Sequence, residues 1–138
     1  MSIVFASSSG MDTGRDRIAL IYDEDGFSRV CSALLKMSGC VTEVMDGRRD
    51  AATRLRSEDV GVFITSYPYG AFMLEEVRKR RIPSVVLLDN NGELYGERLD
   101  AYDDLYCMIK PIDYDKFKSL VHQLLSEQPV SRDGFTVK

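Results

Sequence analysis

Residues Arg17 to Asp25 read RIALIYDED, an apolar run that stops abruptly at three consecutive carboxylates. Its Ile, Leu and Tyr side chains favour a strand, and the absence of alternation predicts one covered on both faces, as in a parallel sheet. Asp23, Glu24 and Asp25 then fall at the carboxyl end of that strand, the edge at which open α/β sheets bind ligands. Three adjacent acids repel one another. They favour a bound cation or a neighbouring lysine, or else they are simply solvated, since a loop and a helix N-terminus attract acids on their own account.

A chain of 138 residues has the length of one domain and can bury a substantial core. Its 18 Lys and Arg against 22 Asp and Glu leave a net charge of −4, which argues against a general nucleic-acid-binding surface while leaving room for a local basic patch. Cys31, Cys40 and Cys107 show no C-x-x-C spacing, and a single histidine cannot complete a zinc site with them. They read as buried, reduced thiols, and the expected setting is cytoplasmic. No stretch has the pattern of a signal peptide or membrane span. The expected organisation is a flexible segment at 1–16, one domain at 17–128 and a polar tail at 129–138.

Along the domain, Phe27, Val30, Cys31 and Leu34 fall at helical spacing, with Gly39 as the stop. Cys40 to Met45 reads as a partly polar strand near a sheet edge, and Ala51, Ala52 and Leu55 as a short surface helix. VGVFI at Val60 to Ile64 predicts a central third strand, and Met73, Leu74 and Val77 a third helix running into the basic stretch Arg78 to Arg81. Cations at a helix C-terminus offset the helix dipole, so that stretch reads as solvated charge. SVVLL at Ser84 to Leu88 is a fourth buried strand, and Tyr106 to Ile109 a fifth, ending at Lys110-Pro111. The stretch from Asp89 to Asp104 offers a turn and at most a short helix. Asp113 can cap a last helix whose Phe117, Leu120, Val121 and Leu124 share one face. Strands alternating with helices make a doubly wound α/β domain, a five-stranded parallel sheet flanked by helices, flavodoxin-like in class.

An acidic cluster after strand one and a Lys-Pro after strand five, in this order, resemble the receiver domain of bacterial two-component response regulators. The resemblance runs from about Arg17 to Gln128 and rests on IALIYDED, the Asp46-Gly47 turn, the Ile82-Pro83 lead-in to strand four, and IKPID. It implies an aspartyl-phosphate switch: a carboxylate ending strand three attacks a phosphoryl group, strand-one acids hold Mg²⁺, and the strand-five lysine pairs with the new charge. A hydroxyl residue ending strand four and an aromatic on strand five complete the switch. Asp23 and Glu24 match the acid pair, and Lys110-Pro111 the lysine and its proline, whose preceding peptide would be cis.

Strand three departs from that pattern. Counting from Asp59, or back from Pro68, puts Ile64 at the acceptor position, with Thr65 there if the register is one residue out and Ser66 if it is two. None is a carboxylate. Leu88 stands where the strand-four hydroxyl should be, followed by Asp89, and Cys107 takes the switch-aromatic position with Tyr106 beside it. The sequence therefore reads as a pseudo-receiver, a non-catalytic signalling module that acts through protein contact and is not an enzyme. Lys110 is expected to neutralise Asp23 and Glu24 directly, with weak Mg²⁺ binding by those two acids as the alternative.

The expected partner is a protein or a second copy, bound through the face of helix four, strand five and helix five, where Tyr95, Tyr102 and Tyr106 supply contact area. Neither nucleic acid nor membrane is an expected partner. His122 falls off the apolar stripe and reads as a surface residue. A phosphorylated regulator with Asp89 as displaced acceptor is the second reading. A small nucleotide- or flavin-binding domain is a remoter third, because strand one ends in acids where a phosphate cradle would want glycines and free N–H groups.

Overall fold

The computed structural model describes residues 17–89 and 104–126. Within them the chain forms β1 (Ile18–Tyr22), α1 (Asp25–Met37), β2 (Val41–Val44), α2 (Arg48–Arg54), β3 (Val60–Ser66), a 3₁₀ turn (Ala71–Met73), α3 (Leu74–Lys79), β4 (Ser84–Leu88), β5 (Leu105–Ile109) and α4 (Tyr114–Leu125). The expected segments at 1–16 and 129–138, and Tyr95 and Tyr102, lie outside the described residues.

The five strands are all parallel and lie in the order β2-β1-β3-β4-β5. Every residue of β1, β3 and β4 is buried, as uninterrupted apolar runs require when helices cover both faces. Successive side chains point to opposite faces, so each strand feeds two cores. Leu20, Tyr22, Phe63, Val86, Leu88 and Cys107 join one cluster with Ala51, Leu74 and Val77. Ile21, Val62, Ile64, Leu87, Tyr106 and Met108 join the other, with Cys31 and Leu35 of α1 and Phe117, Leu120, Val121 and Leu124 of α4. The last four are the stripe expected for the final helix. Asp113 caps it, its carboxylate accepting from the Asp115 and Lys116 amides.

The buried face of α1 is rotated by one residue from the expected stripe. Ser28, Cys31, Ser32 and Leu35 face the sheet, while Val30 is 49% exposed. Both serines are buried because each has a partner. Ser28 donates to the Asp23 carbonyl at 2.9 Å, and the Ser32 and Thr42 hydroxyls share a 2.7 Å hydrogen bond. Gly39 takes φ 97° just beyond the helix, the left-handed geometry that glycine reaches without a Cβ penalty.

β2 is an edge strand, as its polar residues implied. Arg54 fastens it from α2, donating to both carboxylate oxygens of Glu43 at 2.8 and 3.0 Å and to both of Asp59 at 2.8 and 3.0 Å. One planar guanidinium thus ties helix, edge strand and the lead-in to β3. Replacing Arg54 by Ala is expected to cost about 1 kcal/mol after screening of these half-exposed groups, and Arg54→Lys a large part of it because the fork is lost. Urea unfolding of both variants at low and high salt checks this; a cost that does not shrink in salt would show that packing of the side chain, not its charge, carries the effect.

Candidate functional site

The carboxyl ends of β1, β3, β4 and β5 meet at one edge of the sheet, and strand parity decides which side chains share it. Ile21, Val62, Ile64, Leu87, Tyr106 and Met108 face α1 and α4. Continuing each alternation by one step puts Asp23, Ser66, Asp89 and Lys110 on that same side. The contacts agree. Ser66 Oγ donates to Asp23 Oδ2 at 2.5 Å, and Lys110 Nζ stands 3.8 Å from Asp89 Oδ1.

Ser66 is therefore the β3 residue at the acidic pocket, which corrects the register that put Ile64, or Thr65, at the acceptor position. Ile64 is fully buried one pleat deeper in the apolar cluster. Thr65 points to the other face and donates to the Tyr22 carbonyl at 2.5 Å. The count failed because β3 runs two residues beyond the apolar segment, into Thr65 and Ser66. Gly70 then folds back over the strand end. Its N–H donates to the Ser66 carbonyl at 3.0 Å, and a Cβ there would stand 2.0 Å from Thr65 Oγ1. Only glycine fits that close approach.

Of the two strand-one acids, Asp23 alone is buried, at 5% exposure, while Glu24 is exposed and precedes α1. The Asp23 carboxylate accepts from the Glu24 amide at 2.8 Å and from Ser66. The ion pair of Lys110 is with Asp89, not with the strand-one acids as expected, and its ammonium also sits 5.0 Å from the Phe27 ring centre. Leu88, at the hydroxyl position, is fully buried. The Lys110–Pro111 peptide is cis, as the resemblance implied, and so is Tyr67–Pro68.

Cys31 lies in α1 below this cluster. Burial first, and then the Asp23 charge, push its thiol up from the ordinary 9.0 to about 12 against the opposing charge of Lys110. Burial likewise lifts Cys107 to about 11. Cys107 is fully buried, and Tyr106, expected on a partner surface, is only 7% exposed. It belongs to the core against α4, because its parity matches Met108. Tyr69 and Phe72 are exposed, pack tilted and edge-on against Tyr22 with ring centres 5.1 and 5.6 Å away, and Arg48 lies over the Phe72 ring at 4.0 Å.

Each Asp23 carboxylate oxygen accepts one hydrogen bond, and among the described residues no group of three or more His, Cys, Asp and Glu side chains converges as metal ligands. Nor is any described helix long and apolar enough to cross a membrane.

No protein-family model matches the chain, and no curated protein matches it in sequence. Solved structures do. A CheY-like response regulator receiver domain protein from Methanospirillum hungatei JF-1 superposes with a TM-score of 0.68 at 17% identity, over 83% of this chain and 97% of that one. A response regulator receiver protein from Pseudomonas putida gives 0.67 at 20% identity, over 80% and 99%. A response regulator from Thermotoga maritima gives 0.63 at 18%, over 81% and 99%. The chain is thus similar to receiver domains over nearly their full length and has their fold, a likeness that at such identities concerns architecture alone.

Two measurements test this geometry. Ser66→Ala leaves one oxygen of a buried carboxylate without its donor and is expected to lower stability by about 1–3 kcal/mol, read from urea midpoints. Both thiols stay protonated in the folded state while the unfolded chain ionises near pH 9, so the unfolded state binds fewer protons above that pH. Stability is full below pH 9 and falls between pH 9 and about 12. Cys31→Ala should flatten that decline; an unchanged slope would show that the thiol is not what opposes ionisation.

Proposed function

We propose that the chain is a non-catalytic pseudo-receiver, a signalling module that works by protein contact without aspartyl phosphorylation. The observation that carries this is the 2.5 Å hydrogen bond from Ser66 Oγ to Asp23 Oδ2. Where a receiver-type site would present a carboxylate from its central strand, this one presents a hydroxyl already committed to the neighbouring acid. A serine Oγ is a weak nucleophile, a carboxylate such as Asp23 is a weak base for activating it, and the hydroxyl carries no charge for a cation to bridge. The reading uses no cofactor, since Asp23 and Glu24 together would give Mg²⁺ two carboxylates and Ser66 adds no third.

Protein contact through the end of the sheet that carries β5 and α4 remains the favoured mode, for a partner protein or a second copy. β5 is the outermost described strand on that side, and α4 presents Asp115 and Ser119 as exposed positions. Tyr106 takes no part, being buried. The Asp89 carboxylate beside Lys110 favours the second reading, a regulator whose acceptor has moved to the end of β4.

One experiment separates the two. The protein is incubated with acetyl phosphate and Mg²⁺, and its intact mass is measured before and after hydroxylamine. The wild type is expected to keep its mass, and Ser66→Asp to gain one hydroxylamine-labile phosphoryl group. A labile adduct on the wild type that disappears in Asp89→Asn would overturn the reading in favour of the displaced acceptor.

A further inference from the structure

The opposite edge of the sheet carries the reverse charge. Two recesses open beside the amino ends of the strands, remote in the fold from Asp23. One, of about 240 Å³, is bordered by Arg17, Arg56, Arg80 and Arg81, with Glu58 and Ile82. The other, of about 390 Å³, is bordered by Arg78, Lys79 and Arg81, with Ile82, Ser84 and Asp104. They share Arg81 and Ile82, so six cationic side chains from three separate segments border two adjoining recesses, with two carboxylates among the lining.

Local pairing accounts for only part of this convergence. Glu75 binds Arg78 at 3.0 Å and Glu76 binds Arg80 at 2.6 Å, both along α3. Asp59 binds Arg54. Arg56, Lys79 and Arg81 have no side-chain partner among the described residues, and Glu58 between them pairs with none of the three. Arg81 also holds φ 58° at the end of α3, the left-handed geometry for which α1 uses Gly39. An arginine stands where a glycine would be the less strained residue.

We propose that this pair of recesses binds a small anion carrying two or more phosphate groups. Guanidinium groups present planar donor forks that match phosphate oxygens, and a phosphate carries more charge per volume than a carboxylate, which suits four arginines around one recess. Two recesses with Arg81 on the border of both offer neighbouring places for successive phosphates. Net charge of −4 and the small, recessed form of the site argue against a nucleic-acid polymer. The site is distinct from the Asp23–Ser66 pocket and stands or falls independently of the pseudo-receiver reading.

The test is a titration of ¹⁵N-labelled protein with inorganic tripolyphosphate at low salt, followed by amide shifts. Saturable shifts are expected at Ser57, Arg81 and Ile82, without matching shifts at Asp23 or Ser66. Arg81→Gly retains access to the backbone geometry while removing the guanidinium, so it should fold and bind at least about tenfold more weakly; Arg56→Glu should do the same. Absence of saturation, an equal response to sulfate at matched ionic strength, or undiminished binding by Arg81→Gly would overturn the proposal. Tighter binding of a polyglutamate peptide than of tripolyphosphate would overturn the phosphate assignment.

Discussion

β1 has no solvent-facing side, and that constraint organises the molecule. A strand whose five residues are all buried needs a helical layer on each face, and covering both faces of a parallel sheet takes crossover connections through helices. The crossovers in turn collect the carboxyl ends of four strands along one edge. Leu20 and Tyr22 serve one core, Ala19 and Ile21 the other. The next residue in that alternation, Asp23, has no further strand to cover it and becomes the floor of the site.

Because parity, not charge, sets the scaffold, the site can change its chemistry without disturbing the sheet. A buried carboxylate is costly unless hydrogen-bonded. Asp23 meets that requirement with two local donors, the Glu24 amide and the Ser66 hydroxyl, and Lys110 meets its own with Asp89 and the Phe27 ring. Charges that a phosphoryl-transfer site would leave open for a metal and an incoming phosphate are thus divided between two separate, internally satisfied arrangements.

All five strands and the apolar stripe of α4 were legible because long apolar runs and regular spacing are strong signals. The misreadings share one cause. In α1 the sequence showed Phe27, Val30 and Leu34 as the apolar face, yet small serines with hydrogen-bond partners replaced two of the expected positions. On β3 the apolar run ends at Ile64, but pairing with β1 continues through Thr65 opposite Tyr22, moving the pocket residue to Ser66. Tyr106 looked like a contact residue by type and proved to be core by parity. Polar residues that are buried and satisfied leave no hydrophobic trace, and so the site's decisive residue was the one least visible by pattern.

The two edges of the sheet now differ in how their charges are resolved. At the carboxyl edge each acid facing the pocket has a donor or cation from another strand or from the following turn. At the amino edge the carboxylates of α3 bind Arg78 and Arg80, and Arg54 binds Asp59. Repulsion among the remaining cations is weakened by water and salt where they are exposed, which makes the arrangement tolerable in the free protein. It also makes it responsive, since an ordered anion would gain from several guanidinium groups at once, and the fold already holds their backbones in place.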